Sequence, residues 1–336
     1  MVHGAVMKSK RGAFRSSKRG SKSTVEYVLV ALIIILVGVV IFYNMEISSL
    51  QKSLASLQAQ PPPGQRLTGI DQPLNATELA AINNAPLSYF ENAANMMLAG
   101  NLIGMVSVPV LNSTYFASNA LVIGGKPSVV YIGAISCIYC GENRWAMALA
   151  LSRFGNFTNL YKGYSSFGDS DVPTLYWSQD NYTTPAGVGF GASYTSPYIN
   201  FFASDYESPI VQGFQVQPLS YFISKAPNST YRSAITFMNN TDKFAGTPFT
   251  LWGGSLFAGA DAVAFGNTTP SSSSLPLTYM THADVLRQIG TFSDRFAWTE
   301  YAGADIYIAA TCPSIGNAAP VCSLPGIKAI EAKMTA

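Results

Sequence analysis

Ser128-Val-Val-Tyr-Ile-Gly-Ala-Ile-Ser136, then Cys137-Ile-Tyr-Cys140, then Gly141-Glu-Asn-Arg-Trp145 run on without a break. The first stretch reads as an apolar strand, the last opens a helix, and two cysteines sit at the joint. A helix N-terminus has free N–H groups and a partial positive charge, which favour a thiolate on Cys137. Cys140, one turn later, lies within reach to attack a mixed disulfide on Cys137 and release the partner. A bare C-x-x-C has many origins. One set between a buried strand and a helix points to thiol–disulfide chemistry.

Working outward, the helix after the cysteines carries Met147, Leu151 and Phe154 on one face and stops at Gly155. Upstream, Thr77 can cap Glu78–Ile82, Pro86 can start Leu87–Leu98, and Met105–Val110 leans towards strand. Residues 156–217 are aromatic and Gly/Ser-rich, with alternation in Thr174–Trp177 and Tyr198–Phe202, and read as strands joined by long loops. A weak helix from Pro218 towards Met238 leads to Gly246-Thr-Pro-Phe-Thr-Leu-Trp252, a strand opened by proline. Thr281-His-Ala-Asp284 has capping-box form ahead of Val285, Leu286 and Ile289, and a last helical stretch through Ile306–Ala310 reaches Cys312.

Strand, C-x-x-C, helix and a later proline opening a strand is the thioredoxin-like order. More specifically, the chain resembles an archaeal thioredoxin-like family known as domain of unknown function 929. The residues that carry the resemblance are Ser128–Ala134, Cys137 and Cys140, Arg144-Trp-Ala-Met-Ala-Leu-Ala-Leu-Ser-Arg-Phe-Gly155, Tyr194-Thr-Ser-Pro-Tyr-Ile-Asn-Phe201, Gly246-Thr-Pro-Phe249 and the late Cys312…Cys322 pair. It spans roughly residues 75–330 and implies a fold, since the family has no settled activity. Such folds place a proline opposite the cysteines, and the residue before it offers its backbone to an extended substrate. Thr247-Pro248 and Val172-Pro173 compete for that place; Pro248 is preferred, because a helix signal precedes it and a single helix follows the strands. An ordinary strand-start proline is the alternative for both. With Ile138 and Tyr139, Thr247 and Pro248 form the expected substrate contacts.

Charge is scarce, at 11% of the 336 residues, and unevenly placed. Lys8, Lys10, Arg11, Arg15, Lys18, Arg19 and Lys22 precede Tyr27–Tyr43, an uncharged apolar run with a tyrosine at each end. A basic tail abutting such a run suits a cytoplasmic flank and a membrane anchor better than nucleic-acid binding. No small-residue cleavage site follows, as a signal peptide would require. The expected organisation is a basic cytoplasmic tail (1–24), a transmembrane anchor in contact with the lipid bilayer (25–43), a helical stalk and Pro-rich linker (44–64), and a thioredoxin-like extracytoplasmic domain (65–336) with an insertion at about 156–217. N-x-S/T triplets at Asn75, Asn112, Asn156, Asn181, Asn228, Asn239 and Asn267 agree with an outside location. So do four cysteines in two close pairs, which an oxidising compartment would allow to bridge.

Residues 127–136 hold no Asp or Glu, so the buried carboxylate that moves protons in efficient thioredoxin-type reductases is missing from the strand. Glu142, the nearest acid, reads as a helix-start residue favoured by the macrodipole. Cys312 and Cys322 would close a Pro/Gly-rich loop as a structural disulfide or as a second redox pair relaying electrons; a four-cysteine zinc site fits the spacing poorly. His3 and His282 are the only histidines, which excludes His-based triads and multi-histidine metal sites, and His282 reads as a solvated helix-start residue. No Walker loop and no dinucleotide fingerprint occurs, so neither cofactor nor metal is expected.

The fold class expected is therefore α/β: a thioredoxin-like fold with a large insertion between the active-site helix and the proline-opened strand, preceded by an N-terminal transmembrane helix. The localisation expected is single-pass membrane, N-terminus cytoplasmic, main domain extracellular. The function expected is thiol–disulfide exchange, as oxidase or isomerase more than reductase, with cysteine-containing extracytoplasmic proteins and a membrane redox partner. The rival is a non-catalytic surface or binding protein with permanent disulfides.

Overall fold

The computed structural model describes residues 27–30, 32–33, 35–36, 39, 43, 72–102, 106, 108–109, 120–134, 137–165, 172–177, 193–205, 207–210, 213–216, 220, 223–224, 226, 228–242, 248–258, 277 and 280–335. The chain divides into two units, Met1–Gln60 and Pro61–Ala336. In the first, the described positions are helical and exposed.

The second unit opens with α1 (Ala76–Asn83) and α2 (Leu87–Leu98). α1 starts earlier than Thr77 would have it, because Asn75 is the cap: its Oδ1 accepts the N–H groups of Thr77 and Glu78 at 3.0 and 2.9 Å, and Glu78 Oε2 accepts the Asn75 N–H. Then come β1 (Val122–Ile123), β2 (Lys126–Gly133), α3 (Ile138–Leu151), β3 (Asn156–Asn159), β4 (Tyr161–Ser165), β5 (Val172–Tyr176), β6 (Ser193–Thr195), β7 (Asn200–Asp205), β8 (Glu207–Ile210) and β9 (Gly213–Val216). The C-terminal part holds α4 (Ser229–Asp242), β10 (Phe249–Trp252), β11 (Ser255–Ala258), α5 (His282–Thr291), α6 (Arg295–Thr311) and α7 (Pro325–Met334).

β2 is the centre. It pairs in parallel with β7, Ser128 opposite Asn200 through Gly133 opposite Asp205, and antiparallel with β10, Phe249 opposite Ile132. β1 pairs with the start of β2, and β11 returns along β10 through Gly253-Gly254, both at positive φ, the region glycine enters freely. The unbroken apolar run of β2 follows from burial on both faces. Val129 and Tyr131 belong to the larger core with α3 and α6; Val130 and Ile132 belong to a second cluster with Ala234 and Ile235 of α4 and with Phe249 and Leu251. Side chains alternate along a strand, so one sheet supports helices on both sides.

The expected fold class is corrected. Among the described residues the structure is a mixed helix/strand fold with one five-stranded sheet and three two-stranded ones, β3–β6, β4–β5 and β8–β9. Much of the stretch expected as an insertion pairs locally into these small sheets, whereas β7, inside the same stretch, is a strand of the central sheet. The expected transmembrane anchor at 25–43 and the single-pass localisation are corrected too. Among the described residues no helix is long and apolar enough to cross a membrane. The longest, α6, has 17 residues and carries Arg295, Glu300 and Asp305, against the roughly 20 apolar residues a span needs. The tail at 1–24 and the stalk at 44–64 lie outside the described residues.

Candidate active site

The two cysteines sit where β2 ends and α3 begins. Cys137 is the N-cap of α3, with extended backbone, and its Sγ accepts the Cys140 N–H at 3.4 Å. It is half-buried, whereas Cys140 is sealed from solvent, and both stand as thiols. A sulfur at an N-cap takes the place that a Ser or Asp oxygen usually fills, so the helix's own N–H groups stabilise negative charge on it.

Ala134 is the hub beneath them. Its N–H donates to Cys140 Sγ at 3.4 Å, and its carbonyl accepts the Cys137 N–H and Arg144 Nη2, both at 3.3 Å. Arg144 is fully buried, its guanidinium carbon 5.6 Å from the centre of the Tyr131 ring. Burial pushes the Cys140 thiol well above its ordinary range; the hydrogen bond and charge of Cys137 push it further, while the Arg144 charge and the Ala134 N–H pull it back.

The β4–β5 hairpin clamps the first turn of α3. Ser165 Oγ donates to the Cys137 carbonyl at 2.8 Å, and Thr174 Oγ1 to the Gly141 carbonyl at 2.7 Å. Gly141 permits this approach, since a Cβ there would stand 2.7 Å from Ser165 Cβ and 2.9 Å from Val172 Cγ2. Trp145 Nε1 donates to the Pro173 carbonyl at 3.0 Å, so Pro173 lies in the clamp. Pro248 is buried directly ahead of β10, and its position beside the Phe249–Ile132 pair puts it at the end of β2 from which the chain leaves for Cys137. Thr247 lies outside the described residues. So does the side chain of Ile138, whose backbone opens α3. Tyr139, between the cysteines, is 45% exposed.

Cys312 and Cys322 are joined by a disulfide with Cα atoms 5.6 Å apart, and both are buried. They lie in the larger core, closed to an attacking thiolate, and residues Cys312–Ile315 pack against β2. Among the described residues no group of His, Cys, Asp and Glu has the makings of a metal site.

Two residues differ from their sequence reading. Glu142, read as a helix-start acid favoured by the macrodipole, is fully buried: neither oxygen has a hydrogen-bond partner among the described residues, and burial pushes its carboxyl up to about 8. His282 is also buried, Nε2 lying 2.8 Å from the Gly163 carbonyl and 3.0 Å from that of Thr174. Burial lowers its pKa to about 4, so the neutral ring spans the β4–β5 hairpin. Ser165, Thr174 and Arg144 had no assigned role in the sequence. Only Arg144 left a signal there, as the one charge in Asn143–Leu151; a lone charge in an apolar helix implies a buried partner.

No curated protein and no solved structure matches the chain. A family model does: it covers residues 112–247, and so takes in β2, both cysteines, Arg144–Gly155 and β7, but stops short of Pro248, Cys312 and Cys322. Over that stretch the chain matches the family described as Domain of unknown function (DUF929), the family whose motifs it was expected to share.

Proposed function

We propose that the protein is a thiol–disulfide oxidoreductase that exchanges disulfides with cysteine-containing proteins through Cys137 and Cys140. The carrying observation is the asymmetry of the pair: Cys137 half-buried at the helix N-cap with an N–H on its sulfur, Cys140 sealed beneath it. Attack by the Cys137 thiolate on a substrate disulfide forms one S–S bond and expels one substrate thiolate. Cys140 then loses its proton and attacks Cys137, forming the internal disulfide and releasing the second thiolate. Two electrons pass to the substrate, and the reverse sequence oxidises it. The absence of an acid from residues 127–136 favours the oxidising or isomerising direction. Tyr139, Ile138, Thr247 and Pro248 are the proposed substrate contacts, and no cofactor is required.

The test is the reduction potential of the Cys137–Cys140 couple in glutathione buffers, joined to trapping with C140S. A potential above about −300 mV and dithiothreitol-sensitive adducts that vanish in C137S support the reading. A lower potential with no adducts sinks it and leaves a permanent disulfide on a binding scaffold.

A further inference from the structure

Once Cys137 is bonded to a substrate, turnover depends on Cys140, a thiol with no exposed surface. To resolve the adduct it must lose its proton, attack the Cys137 sulfur, form the Cys137–Cys140 bond and let the substrate sulfur leave as a thiolate with the electrons of the broken bond. A buried thiolate needs compensating charge. Arg144 follows Cys140 by four residues, so both lie on one face of α3. Its guanidinium donates to the carbonyl of Ala134, which also takes the Cys137 N–H, while the N–H of the same residue reaches Cys140 Sγ.

We propose that Arg144 is a positioning residue for the resolving step: it anchors Ala134, the residue whose N–H reaches Cys140 Sγ, and supplies the positive charge under which buried Cys140 reacts as a thiolate. The inference rests on the redox reading of Cys137 and Cys140. Its electrostatic part agrees with the Arg144 charge acting to lower the Cys140 thiol against the effects of burial and of Cys137. Other ionisable groups on α3 and the elements packed on it are Glu142 on α3 and Arg153 just beyond its end, Arg295, Glu300 and Asp305 on α6, Lys162 on β4 and Glu78 on α1, together with the tyrosine hydroxyls of α3, α6, β4 and β5. None of these is among the groups that move the Cys140 thiol.

The full chain, reduced at Cys137–Cys140, is mixed with 5,5′-dithiobis(2-nitrobenzoate), and two steps are followed by absorbance: capture of 5-thio-2-nitrobenzoate on Cys137, then its release by Cys140. In R144M, release at neutral pH is expected to slow by about threefold or more, because a one-unit rise in thiol pKa removes about tenfold of the thiolate and returns about threefold in nucleophilicity. The pH midpoint of release moves up by about one unit, while capture in a C140S background is unchanged between Arg144 and R144M. Release that keeps its rate and midpoint, or capture and release that fall together, overturns the inference. Failure of Cys137 to capture the probe in the unmutated chain removes the redox reading itself. Where R144M does not fold, R144K decides: a midpoint kept near that of the unmutated chain supports the role of the charge, and one displaced as far as a neutral residue requires overturns it.

Discussion

The Tyr307 hydroxyl donates to Asn143 Oδ1 at 2.6 Å, tying α6 to the helix that carries the cysteines across 164 residues of sequence. Both groups are buried. α6 packs on α2, α3, α7 and β10, and so holds the back of the site. Removing the hydroxyl in Y307F leaves the Asn143 carbonyl oxygen without that donor, and the expected loss is about 1–3 kcal/mol. Urea unfolding measures it, and an unshifted midpoint would show that the bond contributes nothing net. A fragment ending at residue 247 lacks β10 and α6, and circular dichroism is expected to find it unfolded.

Gly141 makes the hairpin clamp possible. In G141A the new methyl must displace Ser165 and Val172, costing about 1–3 kcal/mol by overpacking. The Ser165–Cys137 and Thr174–Gly141 bonds loosen with it. Lower thermal stability together with altered Cys137 alkylation is the expected result. A variant as stable and as reactive as the parent would mean that the clamp does not set the geometry of the cysteine turn.

Stability should depend on pH with opposite signs from Glu142 and His282. The Glu142 carboxyl titrates at about 8 when folded against 4.5 as its ordinary value, so the folded state binds more protons between these limits. Its contribution is full below 4.5 and is lost as pH rises to about 8. His282 titrates at about 4 when folded against 6.5, so its contribution is present above 6.5 and is lost as pH falls towards 4. Between 4.5 and 6.5 the two oppose one another. Above 6.5 Glu142 acts together with Asp305, whose carboxyl burial also raises. E142Q should reduce the decline between pH 6.5 and 8 by about 1–2 kcal/mol, and H282Q should flatten the acid limb. Denaturant titrations at a series of pH values check both; an E142Q curve parallel to that of the parent would contradict the burial assigned to Glu142.

The Cys312–Cys322 bridge closes a sequence separation of 10 within the core. Removing both sulfurs in C312A/C322A is expected to lower stability by about 2–3 kcal/mol in the chain-entropy model. The Cys137–Cys140 potential, measured in the folded variant, should stay where it was. A large change in that potential would show that the bridge shapes the cysteine turn through the packing of residues Cys312–Ile315 on β2.

Several features were legible because they are local. The order strand, Cys137, Cys140, helix is written in a run of apolar residues followed by a helix start. The Thr281–Asp284 capping box needs only four residues, and both of its hydrogen bonds are present at 3.0 and 3.2 Å. The family match over residues 112–247 answers to the same kind of contiguous signal. Elsewhere a local signal misled. The apolar run Tyr27–Tyr43 suggested a membrane span that the described helices do not provide, and Asn75 rather than Thr77 took the cap of α1.

By itself, the sequence determined that two cysteines stand one helical turn apart at the mouth of an apolar strand, since spacing and backbone preference fix that within about 18 residues. Which of them faces solvent, and what surrounds them, follows from packing between distant segments. Arg144, Glu142 and His282 are polar letters whose burial depends on α6, β2 and the β4–β5 hairpin closing over them. β7 joined the central sheet because its residues pair with β2 across 72 positions, Ser128 against Asn200. Burial and pairing are properties of contacts between distant segments, and it is burial that seals Cys140, raises Glu142 and lowers His282.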